Sequence, residues 1–294
     1  MTDPHGTDGT DLGGEFGARG LLARRHALKL FAGAGLLVLA GCAGDDSSSS
    51  AASTTAGSSS ASTSTTPTTS STSTSTSTTA AAATGATEEI PDETAGPYPG
   101  DGSNGPNVLT QDGVVRQDIR SSFGSMSGTA EGVPLAVRLR VVDASTGRAI
   151  SGAAVYAWHC DREGRYSLYS QGVTNQNYLR GVQVADSNGD LSFTTVFPGA
   201  YSGRWPHIHF EVYDDVAAAT SAGADDNVKT SQLALPEDVC DVVYAADGYS
   251  ASVRNMAQMS LSSDNVFRDG WDQQMATVSG SVANGYTAEL TVAV

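Results

Sequence analysis

An alternation of apolar and charged residues at positions 133–142 is the clearest pattern in the chain. The apolar positions are Leu135, Val137, Leu139 and Val141. Arg138 and Arg140 lie between them and would point to the opposite side. Because successive side chains of a strand face opposite ways, this spacing predicts a β-strand with one buried and one solvated face.

Other segments have the same strand character and are separated by short turns. They are residues 153–159, 191–197, 207–213 and two β-rich runs around Asn284-Gly285, a strong hairpin signal. Only residues 233–246 resemble a helix, with Pro236 near the start and acidic residues in the first turn. Short strands with glycine-rich turns indicate an antiparallel sandwich or barrel. The predicted fold is all-β, an antiparallel β-sandwich with one or two short helices.

A low-complexity segment precedes the predicted domain. Residues 47–87 are Ser, Thr or Ala apart from Gly57, Pro67 and Gly85. Such a segment has almost no large apolar side chains to bury, so it cannot offset its chain entropy on folding. We therefore predict a disordered linker at residues 42–87 and one folded domain at residues 88–294.

The N-terminal residues have the features of an export signal. Arg24 and Arg25 precede an apolar run at residues 30–40, which is too short to span a bilayer core. The small residues before Cys42 resemble a bacterial lipobox, and the paired arginines resemble the signal for export of folded proteins. We predict a twin-arginine lipoprotein signal peptide at residues 1–41, with lipidation of Cys42. The alternative is a short membrane anchor that is not cleaved.

The net charge of the chain disfavours some classes of binding partner. The formal net charge is −16, which disfavours nucleic acid and adsorption to anionic lipid headgroups. We expect contact with the membrane only through the N-terminal lipid anchor. The domain would lie on the outer face of the bacterial cytoplasmic membrane or be released from the cell.

A histidine pair is the strongest local sign of chemistry. His207 and His209 lie two apart on a predicted strand, so both imidazoles share a face with Cα atoms roughly 6.5–7 Å apart. A His/His/Glu zinc site that includes Glu211 is one interpretation; outside such a site we expect Glu211 to be a solvated strand residue. A second interpretation adds the phenolate oxygens of Tyr166 and Tyr201, a donor set that suits Fe(III). A polar strand face without metal is the third.

Four motifs in sequence order carry a family resemblance. They are Thr94-Ala95-Gly96-Pro97-Tyr98, residues 155–161, Gly164-Arg165-Tyr166, and Tyr201-x-x-Arg204-x-Pro206-His207-Ile208-His209-Phe210. Together they resemble the intradiol ring-cleavage dioxygenases, the catechol and protocatechuate 3,4-dioxygenase family. The short loop between Tyr201 and His207 resembles the exported branch of that family.

The resemblance implies a non-haem Fe(III) cofactor. Its ligands would be Tyr166, Tyr201, His207 and His209, with Tyr201 leaving the metal and taking a proton when the substrate binds. Arg204 would bind substrate and stabilise its charge as the ring reacts, and Tyr98 would line the pocket. The implied partners are a small aromatic diol and O2. The implied reaction opens a catechol-type ring to a muconate-type diacid.

A third histidine, two cysteines, the oligomeric state and the competing functions remain to be considered. His159 is not a ligand position in the family, so we expect a structural role for it. Cys160 and Cys240 could form a disulfide outside the cell, with two buried thiols as the alternative. Many family members assemble through their N-terminal segments, so a homo-oligomer is one expectation. The competing functions are a non-catalytic β-sandwich lipoprotein that binds a metal or an aromatic ligand, and an adhesive domain on a stalk.

Overall fold

The computed structural model describes residues 85–221 and 226–294. The predicted signal peptide, Cys42 and nearly all of the predicted linker lie outside these residues, so those assignments stay predictions. Near the start of the described residues, the amide of Thr87 donates to the carbonyl of Ala144 at 2.8 Å.

Eight strands and five short helices follow one another along the described chain. The strands are β1 (Pro134–Val142), β2 (Ala154–Trp158), β3 (Arg180–Val184), β4 (Asp190–Val196), β5 (His207–Tyr213), β6 (Lys229–Ala234), β7 (Thr277–Ser281) and β8 (Gly285–Ala293). The α-helices are α1 (Val216–Thr220), α2 (Glu237–Tyr244) and α3 (Ser250–Met256). Two 3-10 turns occupy Leu261–Ser263 and Phe267–Asp269.

The strands form two four-stranded sheets that pack face to face. The first sheet has the order β4-β1-β8-β7, and the second has the order β3-β2-β5-β6. Apolar side chains from both sheets, including Val137, Leu139, Val155 and Phe210, belong to one buried cluster. This confirms the predicted all-β sandwich, since each sheet buries one face against the other.

The pattern of pairing corrects one detail of the prediction. Strands β1 and β8 run parallel, with Leu135 opposite Tyr286, whereas the other strand pairs are antiparallel. The predicted hairpin around Asn284-Gly285 is confirmed as β7 and β8. Parallel neighbours need a long connection, and here nearly the whole domain separates β1 from β8.

The predicted helix at residues 233–246 is only partly confirmed. Its first residues, Leu233 and Ala234, belong to β6, and the helix covers Glu237–Tyr244. Pro236 has an extended backbone and marks the change from strand to helix. Glu237 and Asp238 in the first turn complement the positive end of the helix dipole. Within the described residues, no helix has the length and apolar character needed to cross a membrane.

Candidate metal centre

His207 and His209 lie on β5 and point to the face of the second sheet that is turned away from the first sheet. Both are almost completely buried, at 2% exposure. Their neighbours Ile208 and Phe210 point the other way, into the core between the sheets. The His209 ring is stacked on Trp158 of β2, with centroids 4.9 Å apart and planes 4° from parallel. The strand periodicity thus places both imidazoles together, as the sequence predicts.

Two tyrosines from separate loops reach the same point. Tyr166 follows β2, and its Oη lies 3.5 Å from Nε2 of His207. Tyr201 precedes β5, and its Oη lies 3.3 Å from the same nitrogen. The amide of Gly199 donates to the carbonyl of Asp161 at 3.0 Å, which ties the two loops to each other. The two tyrosines lie far apart in sequence, so their proximity cannot be read from residue spacing. The tertiary fold brings both phenols to the histidines.

The spacing of the donor atoms fits a shared metal ion. Nε2 of His207 also lies 3.1 Å from Nε2 of His209. Adjacent ligands bound at about 2.1 Å from one metal are separated by about 3 Å. The three separations from His207 Nε2, to Tyr166 Oη, Tyr201 Oη and His209 Nε2, are therefore close to those between ligands of a common cation.

The hydrogen bonds of the two histidines fit a metal site as well. Nδ1 of His207 donates to the backbone carbonyl of Trp205, so its neutral ring presents a lone pair at Nε2. Nδ1 of His209 is buried and has no hydrogen-bond partner among the described residues. Stacking on Trp158 therefore orients the His209 ring, and its Nε2 remains directed at the shared point. A buried lone pair that faces three other polar atoms is the arrangement that a bound cation would complete.

Burial keeps all four groups neutral in the protein alone. It lowers the pKa of His207 to about 3, and it holds the pKa of His209 well below the usual histidine value. It raises the pKa of Tyr201 to about 12 and the pKa of Tyr166 well above 10. Phenolate ligands would thus require a strongly charged cation that lowers their pKa values. Hard anionic oxygens combined with imidazoles fit Fe(III).

The alternative zinc site lacks its third ligand. In the described part of the chain, no three His, Cys, Asp or Glu side chains come together as a metal site. Glu211 accepts a hydrogen bond from the hydroxyl of Tyr213 at 2.8 Å. The expectation that Glu211 is a solvated strand residue is wrong, because loops cover this face of the second sheet and leave it 1% exposed.

Arg204 is oriented beside the histidines by two residues that the sequence did not reveal. Its Nε donates to Oδ2 of Asp264 at 2.9 Å, and its Nη2 donates to Oε1 of Gln232 at 2.6 Å. Asp264 is fully buried and also accepts the amide of Trp205 at 2.7 Å. Burial alone would raise the pKa of Asp264, but the bond from Arg204 holds it below the usual value.

Gln232 and Asp264 could not be found from the sequence for different reasons. Gln232 lies on β6 directly opposite His209. The sequence pattern did not predict β6, so it could not place Gln232 at the site. Asp264 lies between the two 3-10 turns, far from Arg204 in sequence. Tertiary packing alone brings it to the guanidinium.

Tyr98 lies at the site, as expected for a pocket-lining residue. Its ring centroid is 4.9 Å from that of Tyr166 and 5.3 Å from that of Tyr169. The same segment places Gly96 against the imidazole of His209. The N-terminal part of the domain therefore packs against His209 and Tyr166.

His159 has a structural role. Its Nδ1 lies 2.7 Å from the carbonyl oxygen of Cys160, and its Nε2 lies 2.7 Å from Oγ1 of Thr195. Burial lowers its pKa to about 4, so the ring is neutral. Both nitrogens are satisfied by the protein, which leaves neither for a metal.

The disulfide considered between Cys160 and Cys240 is wrong for this structure, because both are free, buried thiols. Cys160 donates to the carbonyl of Gly199 at 3.2 Å and packs beside Tyr166 and Trp158. Cys240 lies on α2 and packs in the core between the sheets. The two sulfurs thus belong to separate apolar clusters, and burial raises the pKa of each thiol above its usual value.

Known proteins share this fold and this sequence pattern. A family model described as Dioxygenase matches residues 104–222, a range that contains all four candidate ligands and Arg204. The structure of an intradiol ring-cleavage dioxygenase from Tetranychus urticae matches with a TM-score of 0.53 and 24% identity. That match covers 70% of this chain and 94% of the other. The folded domain thus has the fold of that dioxygenase and matches a dioxygenase family model over residues 104–222.

A curated protein is similar to this chain over a shorter range. A chlorocatechol 1,2-dioxygenase from Rhodococcus opacus is 28% identical over 90 residues. The match covers 24% of this chain and 35% of that protein. The chain thus spans about a third of the length of this relative. Tyr98, Gln232 and Asp264 lie outside the range of the family model.

Proposed function

We propose that the protein is a non-haem Fe(III)-dependent intradiol dioxygenase. Its substrate would be a catechol-type aromatic, whose ring is opened with O2 between the two hydroxyl-bearing carbons to give a muconate-type diacid. The convergence of two phenols and two imidazoles around His207 Nε2 carries this proposal. The match of residues 104–222 to a dioxygenase family model supports it independently.

The four ligands would divide into permanent and replaceable groups. Tyr166, His207 and His209 are almost completely buried, whereas Tyr201 is only half-buried. Tyr201 is therefore the ligand that can leave and accept a proton from a hydroxyl of the substrate. When bound, Fe(III) would act as a Lewis acid that holds the substrate through its two oxygens and activates the ring towards O2.

Arg204 would stabilise the negative charge that develops on the ring. Asp264 and Gln232 occupy two of its nitrogens and fix the plane of the guanidinium, so no reorganisation is needed when charge develops. Tyr98 and Tyr169 would supply an aromatic wall for the substrate. A bound substrate would thus meet the aromatic rings of these tyrosines and the cationic guanidinium of Arg204.

We also propose that the enzyme works outside the cell as a lipid-anchored protein. The paired arginines, the apolar run and Cys42 support this location, and they are features of sequence alone. A protein exported after folding could acquire its iron inside the cell before it reaches the oxidising exterior.

The test is iron analysis and visible spectroscopy of the purified protein, followed by anaerobic addition of catechol. We expect stoichiometric iron and a broad visible band from tyrosinate-to-Fe(III) charge transfer, which shifts to longer wavelength with catechol. Oxygen uptake should then accompany formation of a diacid. A protein that stays colourless after Fe(III) reconstitution would contradict the proposal and favour a non-catalytic binding lipoprotein.

A further inference from the structure

Residues 93–100 form a segment that crosses the candidate metal centre, and we refer to it as the strap. The amide of Glu93 donates to the carbonyl of Thr230 at 2.8 Å, and the carbonyl of Thr94 accepts Nε2 of Gln232 at 2.8 Å. Further along, a Cβ built on Gly96 would lie 3.4 Å from Cε1 of His209. The strap thus contacts both the residue that orients Arg204 and a candidate ligand.

The far end of the strap is held by Arg180, a side chain that touches none of the four candidate ligands through a hydrogen bond. Nη2 of Arg180 donates to the carbonyl of Tyr98 at 2.9 Å, and Nη1 donates to the carbonyl of Pro99 at 2.7 Å. The hydroxyl of Tyr156 donates to the same Pro99 carbonyl at 2.7 Å. Hydrogen bonds from Arg180 and Tyr156 therefore fix the backbone carbonyls of Tyr98 and Pro99.

The same guanidinium also holds the loop that carries Tyr166. Its Nε donates to Oγ of Ser167 and its Nη2 to the carbonyl of Ser167, each at 3.0 Å. Its Nη1 also contacts the hydroxyl of Tyr156 at 3.2 Å. These contacts, with the two to the strap, occupy all five N–H donors of the guanidinium. Arg180 therefore joins the strap to the residue next to a candidate ligand.

A buried arginine of this kind is unfavourable for stability. Arg180 is fully buried, and among the described residues it forms no ion pair. Removing a cation from water without a paired anion has a large desolvation cost, even when neutral acceptors satisfy its hydrogens. The hydrogen bonds of Arg180 instead fix the relative positions of the strap and the loop that carries Tyr166.

Backbone strain is concentrated beside Arg180. Leu168 (φ 74°) and Leu179 (φ 58°) are the two non-glycine residues with positive φ in the described chain. Leu168 follows Ser167, and Leu179 precedes Arg180. Gly100 has φ +72°, and a Cβ there would lie 2.8 Å from Nη1 of Arg180. Strained residues are typical of functional sites whose geometry is held by their surroundings.

A stack of rings connects this cluster to the metal centre. Tyr156 stacks on Trp158 with centroids 5.0 Å apart, and Trp158 stacks on His209. His209 therefore packs against both Trp158 and Gly96 of the strap. A displacement of the strap would remove one of these two contacts.

We propose that Arg180 is a positioning residue for the site. It holds the strap against His209 and Tyr166 and so sets the width of the cavity between Tyr98 and the metal ligands. Its effect on catalysis rests on the proposed function, whereas its hold on the strap does not.

Hydrogen–deuterium exchange tests the structural part on the purified protein. The reporter is the amide of Gly100, which donates to Oη of Tyr169 at 2.9 Å. We expect Arg180→Met to speed exchange of strap amides by roughly tenfold or more, because bonds from a charged donor are lost. Arg180→Lys, which keeps a charge and fewer donors, should give a smaller increase.

Lys229 offers a matched control, since it is a buried cation that holds the chain just before the strap. It pairs with Glu89 at 2.6 Å and with Asp92 at 3.2 Å. Lys229→Met should speed exchange around residues 89–92 and leave Gly100 unchanged. If Arg180→Met does not fold, Tyr156→Phe removes one acceptor of Arg180 and one donor to Pro99 while it keeps the aromatic stack. It should then accelerate exchange at Gly100.

Substrate binding tests the positioning role. In Arg180→Lys, we expect roughly tenfold weaker anaerobic binding of catechol and a raised KM, with a smaller change in kcat. Unchanged exchange at Gly100 in both Arg180→Met and Tyr156→Phe would overturn the hold on the strap. Faster exchange with unchanged catechol affinity would overturn the positioning role. An iron-free wild-type protein without turnover would instead contradict the proposed function, and the exchange experiment would still decide whether Arg180 holds the strap.

Discussion

The two sheets of the sandwich use the same kind of strand in different surroundings. Strand β1 in the first sheet alternates between buried and exposed positions, with Arg138 and Arg140 on its outer face. Strand β5 in the second sheet has no exposed residue over its whole length. A structural sheet thus keeps one face in water, whereas the sheet that carries the candidate site is buried on both faces.

The second core explains this difference. Tyr156, Trp158, Tyr166 and Tyr213 form a buried cluster on the face of the second sheet that points away from the first. Partly buried Tyr98 and Tyr201 pack against the same cluster. Loops and the strap therefore bury His207 and His209, and burial strengthens the electrostatic interactions of these side chains.

The largest effect should come from a candidate ligand at the site over the second sheet. We expect Tyr166→Phe to lose most of the visible band and to reduce ring-cleaving activity by more than ~100-fold, because even outer partners of metal ligands contribute 10–100-fold. The measurements are iron content, visible absorption and oxygen uptake. The control is Tyr286→Phe, a tyrosine of β8 that packs on Phe197 in the core between the sheets. Full iron content and turnover in Tyr166→Phe would show that the ligand assignment is wrong.

A core truncation in the first sheet should affect stability and leave the site unchanged. Leu139 is buried on the inner face of β1. We expect Leu139→Ala to lower the free energy of unfolding by about 2–5 kcal/mol, through lost burial and a residual cavity. Urea unfolding measures this change, and the visible spectrum of the folded iron-loaded protein should match the wild type. An altered spectrum would mean that the core shared by the two sheets also positions the metal ligands.

Glu93 at the start of the strap should make stability depend on pH. Burial, and then the charge of Asp269, raise its pKa from 4.5 to about 7, while Gln274 and Arg204 oppose the shift and Asp264 adds to it. The folded state therefore binds this proton more tightly than the unfolded state. The resulting stabilisation is present below pH 4.5 and is lost as pH rises to about 7.

Glu93→Gln should remove this contribution. The difference in Tm between wild type and variant should change between pH 5 and pH 8, with the wild type losing more stability as pH rises. Thermal unfolding at several pH values measures it. Parallel profiles for the two proteins would show that Glu93 does not titrate in this range.

The smallest effect should come from the solvated face of the first sheet. Arg138 pairs with Glu289 across β1 and β8 at 3.2 Å, but the two side chains are 61% and 54% exposed. We expect Arg138→Ala to change the free energy of unfolding by less than ~1 kcal/mol and to leave iron binding unchanged. A larger loss, measured by urea unfolding, would mean that this outer face contributes more than an ordinary solvated surface.

Strand periodicity and local chemistry could be predicted from the sequence. The alternation at β1, the hairpin at Asn284-Gly285 and the shared face of His207 and His209 all depend on neighbouring residues. Backbone geometry relates such neighbours directly, so their relative orientation follows from their spacing. The motif around Tyr201 and His207 is also local, and by itself it resembles the intradiol dioxygenases.

The rest depended on contacts between residues far apart in the chain. The bond of Arg204 to Asp264, the position of Gln232 opposite His209, and the contacts of Arg180 with the strap have no spacing rule. Glu211 was expected in solvent because an isolated strand cannot show that a second layer will cover it. The sequence left a disulfide between Cys160 and Cys240 open, and only tertiary packing places the two thiols in separate apolar clusters. Local geometry determines which way a side chain points, but only tertiary packing decides which residues it contacts. In this domain, the surroundings of the candidate metal centre consist of such long-range contacts.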